Sequence, residues 1–508
     1  MNLLLAVPFL IPLLGAALTL PMRRAPRTQQ VVSALTLAAV VAAAVVLVRQ
    51  TRDGSVITSQ AGGWPAPIGI TIAVDPLSAL LLLVSSVVLL VVLLYAIGQD
   101  IAGLSRAMPM VFHPIYLVLT AGVCLSFIAG DLFNLFVGFE IMLTASYALI
   151  TQAPTRARVR ASMIYTMVSL TSSILFLTGI ALVYALTGTV NLADIAVKLG
   201  DAPAPLRMVL ALLFLVVFGI KAAIVPMHFW LPDSYPVAIT RISAIFAALL
   251  TKVAVYAIIR TQTLLFSRDD VSDVLLWMAI ATMIIGILGA LVQDDINRIM
   301  SFALVSHIGF MLFGLGIGTV AGLAGAIVYL VHHIVVQASL FLVNGLIRQF
   351  VGHTSLRAIR GLMAVSPVLA LLFFLPAMSL AGMPPMSGFV AKAALFTAGA
   401  EAGGWLLYTG IAAGVATSLL TLMAIFRIWV RGFWGEPLED MIEARDQLRS
   451  QGMSGGRLLM TSSTAAMVGI GLALAALSGP LTEFAFTAAE DLLGGGAYIE
   501  AVLTGGES

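Results

Sequence analysis

Residues 213–236, LFLVVFGIKAAIVPMHFWLPDSYP, break two rules of membrane helices in succession. Lys221 lies among apolar residues, and Pro226 follows five positions later. An ammonium group near the bilayer centre costs about 2.5–3.5 kcal/mol on insertion scales, so it is retained only where the protein solvates it. Proline has no N–H, and Pro226 leaves the carbonyl of Ala222 without a helical donor. The stretch therefore predicts a membrane helix that is broken beside a buried lysine.

The break also brings basic groups together. In a continuous helix Lys221, Val225 and His228 lie at i, i+4 and i+7, which share one face. A lysine, a free carbonyl and an imidazole on one side of a membrane helix provide the chemistry of a proton path. We predict that this stretch carries protons and that His228 is a possible member; a core histidine is the alternative.

The composition places the whole chain in a membrane. Of its 508 residues 60% are hydrophobic and only 10% are charged, and the mean hydropathy is +1.07. Such values are typical of polytopic membrane proteins and exclude a soluble globular protein. Cys124 is the single cysteine, so no disulfide or iron–sulfur cluster can form within the chain. We predict no cofactor, no metal site and no nucleic-acid partner.

Apolar runs predict an all-α protein with about fourteen transmembrane helices. They cover residues 2–20, 29–48, 76–97, 112–129, 132–150, 162–186, 207–228, 237–259, 272–292, 298–317, 321–347, 365–400 with a break, 406–431 and 458–478. If the N-terminus is outside, most arginines fall in inside loops, as the positive-inside rule requires. This predicts a multi-pass plasma-membrane protein with both termini outside.

Lysine and arginine are used differently along the chain. Arginines lie in loops or at helix ends, whereas three of the four lysines, Lys221, Lys252 and Lys392, fall within apolar spans. Burial can lower the pKa of a lysine toward neutrality, while arginine stays charged. The choice of lysine indicates interior groups that gain and lose protons; the alternative is that these lysines make structural pairs.

Glu140 is the acidic residue nearest the middle of an apolar span. We expect it to be buried, with Thr144 and Tyr147 on the same face. The next helix carries a stripe of hydroxyl residues, Ser162, Thr166, Ser169 and Ser173. Such stripes are often packing devices in membrane proteins, but this one could also hold water beside Glu140.

The second half repeats the pattern. Tyr329, His333, Gln337 and Asn344 share one helical face, and His332 lies on an adjacent one. Pro384 and Pro385 predict a second broken helix in which the carbonyls of Leu380 and Ala381 are free, with Lys392 two turns beyond. Each broken helix is the fourth of a five-helix unit, and because five is odd, two successive units have opposite orientations, as in inverted-repeat transporters.

These features divide the chain into five parts. Helices 1–3 occupy residues 1–111, the two repeats occupy 112–259 and 260–431, a cytoplasmic loop follows at 432–457, and helix 14 with an external tail forms 458–508. The charged loop is predicted to be a solvated connector with a short helix. Apolar residues around 484–486 could pin the tail to the membrane face or to a partner.

Two long motifs resemble one protein family. FGIKAAIVPMHFWLPDSYPVA (218–238) and LAGMPPMSGFVAKAALF (380–396) are similar to the broken-helix signatures of the antiporter-like subunits. These subunits are shared by respiratory complex I, membrane-bound hydrogenases and Mrp multisubunit Na+/H+ antiporters. The overall length, VDPLSALLLLVSS (74–86) and AYIEAVL (497–503) most resemble the D-type subunits of the Mrp antiporters.

The resemblance implies roles for individual residues. Glu140 and Lys221 match the charge pair where protons enter, Lys252 matches the connecting base, and Lys392 matches the terminal lysine of the exit half-channel. His332 and His333 match the histidine region between them. The chain departs from the family at Gln337, where a lysine is frequent, so His333 and water would connect the path there. His307 and Tyr329 are further possible members.

The resemblance implies a proton-translocating subunit of a cation/proton antiporter, not an enzyme. Its expected partners are the other subunits, membrane lipid, H+ and Na+ or another monovalent cation. Glu140 is the only strong anionic ligand expected inside the spans, which favours a sodium route through a neighbouring subunit. The alternatives are a proton-pumping subunit of complex I or of a hydrogenase, a quinone-site subunit, which the missing cofactor ligands disfavour, and a structural scaffold.

Overall fold

In the computed structural model the chain is described over residues 3–103, 111–152, 155–266, 271–439, 441–443, 446 and 454–504. These residues are mostly helical because a bilayer offers no water to backbone groups, which helices satisfy internally. The helices are α1 (Leu3–Thr19), α2 (Pro26–Gln50), α3 (Pro76–Ile101), α4 (Phe112–Ile128), α5 (Leu132–Ile150), α6 (Arg156–Thr187), α7 (Leu192–Leu199), α8 (Ala204–Ala222), α9 (Trp230–Ser234), α10 (Thr240–Ile245), α11 (Thr251–Leu264), α12 (Ser272–Leu291), α13 (Ile296–Ile317), α14 (Val320–Val351), α15 (Leu362–Val365), α16 (Pro367–Ala381), α17 (Ser387–Ala402), α18 (Trp405–Ile428), α19 (Gly455–Ala476), α20 (Ser478–Gly494) and α21 (Gly496–Thr504).

The helices are long and apolar enough for a polytopic membrane protein, as predicted. Within the described ranges, 11 helices meet the length and hydropathy of a membrane span, and three shorter apolar helices, α1, α4 and α16, accompany them. The apolar windows of α14 and of the continuous segment Thr240–Leu264 are completely buried, and that of α13 nearly so. These three central segments carry Lys252 and three of the histidines.

The stretch that decides the fold is broken, but earlier than Pro226 itself. Helix α8 ends at Ala222, and Ala223 adopts a left-handed conformation with φ +59°. The backbone N–H of Ile224 donates to the carbonyl of Gly219 at 3.0 Å. The predicted face that joins Lys221 to His228 is therefore wrong, because helical periodicity stops before the histidine.

The second broken helix follows the prediction closely. Helix α16 ends at Ala381, Gly382 has φ +88°, and α17 begins at Ser387. A side chain at position 382 would be strained by this φ, and its Cβ would lie 2.9 Å from Cδ of Lys392. Glycine therefore permits both the turn and the close approach of the lysine.

A third irregularity was not predicted. The segment Thr240–Leu264 contains a π-helical turn at Phe246–Leu250, directly before α11. π-turns are rare and often occur at functional sites because they disturb the regular hydrogen-bond ladder. A similar turn, Trp429–Phe433, ends α18.

Two connecting parts of the chain, the segment before α3 and the C-terminal tail, contain secondary structure that the sequence analysis did not predict. Strands β1 (Ile57–Ala61) and β2 (Ile70–Val74) form an antiparallel hairpin before α3. The predicted external tail forms α20 and α21, and α20 packs against α14, α3 and α11. We call the end of the bundle that holds this hairpin the hairpin end. In the predicted 432–457 loop, residues 440, 444, 445 and 447–453 lie outside the described residues.

The same local structure occurs at the two ends of the bundle. At the hairpin end, Asp131 caps α5 and forms an isolated β-bridge with Asn191, which follows α6. At the opposite end, Asp295 caps α13 and bridges Ser355, which follows α14. Both bridges carry equivalent pairs of backbone hydrogen bonds. The second helix of each predicted repeat, α5 in the first and α13 in the second, thus begins with the same local structure at opposite ends of the bundle.

Candidate functional site

Glu140 and Lys221 are joined through a hydroxyl group. Ser173 of α6 donates a hydrogen bond to Oε1 of Glu140, and Nζ of Lys221 donates to Oγ of Ser173 at 3.1 Å. Among the described residues, no ion pair within 4.0 Å joins the lysine directly to the glutamate. The predicted charge pair is therefore bridged by Ser173, which was identified only as part of a hydroxyl stripe.

The burial of the two charges differs. Lys221 is 7% exposed and lies in the last turn of α8, where the negative end of the helix dipole favours a cation. Its Nζ also lies 5.2 Å from the centre of the Phe139 ring. Glu140 is only partly buried, which is less than the burial expected from its place in the apolar span. Asp75, at the start of α3, is more deeply buried and is 1% exposed.

A small cavity runs from Lys221 toward the helix that carries Lys252. Its lining includes Ser169, Tyr165, Trp230 and, in the π-turn, Leu250. The indole of Trp230 also donates at 2.9 Å to the carbonyl of Ile220, which accepts in addition from the backbone N–H of Ala223 at 3.2 Å. The cavity joins a basic group to the π-turn through partly polar walls.

Lys252 is completely buried in α11. Its Nζ donates to the carbonyl of Ala247, which lies in the π-turn. No carboxylate lies within ion-pair distance of this ammonium among the residues that the structure describes. The π-turn thus supplies the acceptor that a regular helix would use for its own backbone.

His307, Tyr329, His333 and Gln337 form one connected group. Nδ1 of His307 lies 2.5 Å from the hydroxyl of Tyr329, and Nε2 lies 3.3 Å from Oγ1 of Thr421. The rings of His307 and His333 stack with centroids 5.5 Å apart. Gln337 Nε2 lies 3.2 Å from Nε2 of His333. His307, which was only a possible member, therefore lies at the centre of the group.

His332 faces the second broken helix, away from the His333 side. Its Nδ1 lies 2.8 Å from Oγ of Ser387, and that hydroxyl lies 3.2 Å from Oγ of Ser379. Nε2 of His332 is buried and has no hydrogen-bond partner among the described residues. The prediction that the two adjacent histidines point in different directions is confirmed.

Lys392 is bound by the carbonyls that the broken helix leaves free. Its Nζ donates to the carbonyl of Leu380 at 3.1 Å and to that of Ala381 at 3.0 Å. These are the two carbonyls predicted from Pro384 and Pro385. Phe310 lies beneath the ammonium, 5.0 Å from Nζ to the ring centre, and stacks on Tyr329 of the histidine group.

His228 lies apart from these groups. It follows the break and is partly exposed, and its Nδ1 has no hydrogen-bond partner among the described residues. No three His, Cys, Asp or Glu side chains within the described ranges are grouped as a metal site. The site that emerges is a row of lysines and histidines, which suits proton transfer.

Sequence reasoning missed three polar or aromatic members of this row and named a fourth, Ser173, only as part of a hydroxyl stripe. Ser173 could have been singled out because it lies on the helix next to Glu140. Ser387 lies two residues after the double proline. Thr421 and Phe310 carry no signal in the sequence, since their contacts depend on how distant helices pack.

The many apolar helices and the buried lysines beside two broken helices place this chain in a class of polytopic membrane proteins that carry ionisable groups at helix breaks. Residues 129–421 match the family model described as NADH:quinone oxidoreductase/Mrp antiporter, TM. Over 506 residues the chain is 37% identical to the D-type Na+/H+ antiporter subunit from Alkalihalophilus pseudofirmus, which covers 99% of this chain and 100% of that protein. The D-type antiporter subunit from Bacillus subtilis is 37% identical over 442 residues, or 86% of this chain and 88% of that one.

Solved structures agree with the sequence matches. A chain of the Mrp complex from a Dietzia species has a TM-score of 0.90 and 34% identity and covers 99% of this chain and 100% of its own. A chain of respiratory complex I from Thermus thermophilus shares the fold with a TM-score of 0.73, 23% identity and coverage of 94% and 98%. The chain belongs to the NADH:quinone oxidoreductase/Mrp antiporter family, within its group of D-type Mrp subunits.

Proposed function

We propose that this chain is the proton-translocating subunit of a multisubunit Na+/H+ antiporter. The observation that carries the proposal is the row of buried bases, in which Lys221, Lys252 and Lys392 each donate to a hydroxyl or carbonyl and not to a carboxylate. A lysine held by neutral acceptors keeps its proton less firmly than one in an ion pair. End-to-end similarity to antiporter subunits supports the same function.

The proposed path begins at Glu140. While this carboxylate is ionised, it stabilises the proton on Lys221 through Ser173. Motion that separates them leaves the ammonium desolvated, and its proton moves toward Lys252 through water in the adjoining cavity. From there the proton passes His333, His307 and His332 to Lys392. Water must bridge the steps at which side chains do not touch.

Gln337 and Tyr329 would orient the imidazoles. His228 lies apart from the row and would have at most a minor part in proton transfer.

The broken helices have a clear role in this mechanism. Pro226, Pro384 and Pro385 interrupt helices within the membrane, so backbone carbonyls become available as acceptors near the lysines. At the second break the carbonyls of Leu380 and Ala381 already hold the Lys392 ammonium. Fixed dipoles of this kind stabilise a proton without trapping it as a carboxylate would.

We further propose fourteen crossings and two inverted repeats, residues 112–259 and 260–431. The capped bridges at Asp131 and Asp295 support this arrangement, since they occur at opposite ends and at equivalent places in the two units. Residues 1–111 would form helices 1–3, 432–457 the cytoplasmic loop, and 458–508 helix 14 with the tail. The chain would lie in the plasma membrane among lipid, with both termini outside.

The proposed role needs partner subunits, so we expect no Na+/H+ exchange by the isolated chain. The lysine row offers few oxygen ligands for sodium, and the solved relative at 34% identity is part of a complex. The measurement is sodium-driven proton movement in proteoliposomes that contain either the purified polypeptide or the whole complex. Robust exchange by the polypeptide alone would refute the need for partners.

The bridge between Glu140 and Lys221 gives a second prediction, for Ser173→Ala. We expect antiport to fall about tenfold or more, because a hydrogen bond to charged groups is worth about 1.5–3 kcal/mol. Ser173→Thr keeps the hydroxyl and should restore much of the activity. Thr171→Ala is the control, since Thr171 is exposed on the same helix and bonds only to the carbonyl of Met167 in its own helix. A normal rate in Ser173→Ala would exclude the bridge from the path.

The function itself is tested by deleting the gene in its host. We expect everted membrane vesicles to lose sodium-dependent proton exchange and to regain it when the gene is restored. Proton pumping that instead depends on NADH or hydrogen oxidation, and that is lost with this gene, would favour a complex I or hydrogenase subunit.

A further inference from the structure

A buried ion pair lies at the hairpin end, apart from the lysine row. Arg260 of α11 is 3% exposed, and its Nη2 donates to Oδ2 of Asp75 at 2.6 Å and to Oγ of Ser78 at 3.2 Å. The other oxygen of Asp75 caps α3 by accepting from the backbone N–H of Ser78 at 2.9 Å. One guanidinium is therefore already balanced by one carboxylate.

A second carboxylate, that of Asp491, lies in α20, which packs against α3 and α11, and it interacts electrostatically with both members of the pair. Both carboxyl oxygens of Asp491 in α20 are buried, and neither has a hydrogen-bond partner among the described residues. Tyr498 of α21, itself buried, covers the guanidinium with its ring centre 5.1 Å from Cζ of Arg260. If Asp491 and Asp75 are both ionised, the group carries one uncompensated negative charge.

An unpaired buried charge costs several kcal/mol, so such groups usually bind a counter-charge or become neutral. The smallest ligand that neutralises a carboxylate is a proton. We propose that Asp491 is a proton-binding site, and that its proton holds α20 and α21 against the hairpin end of the bundle. The inference is independent of the proposed path, because no hydrogen bond or ion pair among the described residues joins Asp491 to a member of that path.

The electrostatic surroundings support this assignment. Burial, followed by repulsion from Asp75, raises the pKa of Asp491 to about 7, while Arg260 acts in the opposite direction. The other titratable or charged side chains on the helices that pack against α20, and on α20 and α21 themselves, are Tyr95, Asp100, Lys252, Tyr256, Tyr329, His332, His333, Arg348, Arg457, Glu483, Glu490, Tyr498 and Glu500. Asp75 and Arg260 are the charged groups that act on the Asp491 carboxyl.

The sign of the pH dependence follows from the raised pKa. The docked helices bind the proton more tightly than undocked ones, in which the carboxyl has its ordinary pKa of 3.8. Docking is therefore strongest in acid, weakens as the pH rises from about 4 to about 7, and is constant above that range. Asp491→Asn resembles the protonated form and should abolish this dependence.

The test uses infrared difference spectra of the purified complex between acid and alkaline buffers. We expect a protonated-carboxyl band that disappears with a midpoint near pH 7 in the wild type. Asp491→Asn should lack the band. Glu490→Gln is the matched control, because Glu490 is the exposed carboxylate next to it, and this variant should keep the band. A wild-type spectrum without an Asp491-dependent band in this range would overturn the proposal.

Hydrogen exchange provides a readout of docking. After correction for the intrinsic rate, protection of residues 478–504 should fall between about pH 4 and about pH 7 in the wild type and in Glu490→Gln. It should stay level in Asp491→Asn. If that variant does not assemble, the wild-type profile alone still decides, since level protection across this range would contradict the proposal.

Discussion

Glu140→Ala and Lys221→Ala should each abolish sodium-dependent proton exchange while the complex still assembles. Removing Glu140 takes away the charge that stabilises the proton on Lys221, and removing Lys221 takes away the first base of the row. Ser173 links the two, and among the described residues no other side chain forms a hydrogen bond with either charge. Because transport through a row requires every step, we expect loss of nearly all exchange, measured by dye quenching in everted vesicles.

The control for this prediction is Glu401→Ala, which removes an exposed carboxylate at the end of α17. It should leave exchange close to the wild-type rate. A scaffold without a transport role would tolerate all three substitutions. Unchanged exchange in Glu140→Ala or Lys221→Ala, with normal amounts of the assembled complex, would therefore contradict the assigned site.

Lys392→Arg should lose most antiport activity although its charge is kept. If Lys392 is the last proton carrier, it must release its proton during the cycle, which lysine can do in a desolvated site and arginine cannot. The carbonyls of Leu380 and Ala381 could still accept hydrogen bonds from a guanidinium. A structural role would thus survive the substitution, whereas a carrier role would not.

Because the side chain of Lys392 is closely packed, the larger arginine could also disturb the structure of the variant. Gly382 lies against its side chain, and a larger group could displace the turn. Assembly and thermal stability of the variant complex must therefore be measured with transport. Activity near the wild-type level in an assembled Lys392→Arg complex would make Lys392 a fixed charge and leave proton release to His332, His333 or water.

Much of the fold could be predicted from the sequence because membrane spans depend on local composition. The apolar runs and the two proline-containing breaks are signals carried by neighbouring residues. The β-hairpin was missed because its two strands are only five residues long each and are separated by a segment rich in glycine and proline. The π-turn before Lys252 was missed because its sequence, FAALL, suits a regular helix equally well.

Within the candidate site, local predictions were the more successful ones. The carbonyls of Leu380 and Ala381 were predicted because a proline acts on residues four positions earlier in the chain. The bridge from Glu140 through Ser173 to Lys221 depends on the spacing of three helices, and no periodicity in the sequence measures that spacing. Asp491 was missed for the same reason, since its neighbours Asp75 and Arg260 are distant along the chain.

The most direct test of the buried proton row compares lysine-to-arginine substitutions at every lysine of the chain. Lys198 is the matched control, because it lies on the surface in α7 and pairs with Asp194 at 2.8 Å. Sodium-driven proton movement would be measured with the purified complex in proteoliposomes. We predict that Lys198→Arg retains the wild-type rate, whereas Lys221→Arg, Lys252→Arg and Lys392→Arg each lose most of it. Wild-type rates in the three interior variants would show that these lysines do not exchange protons and would contradict the account.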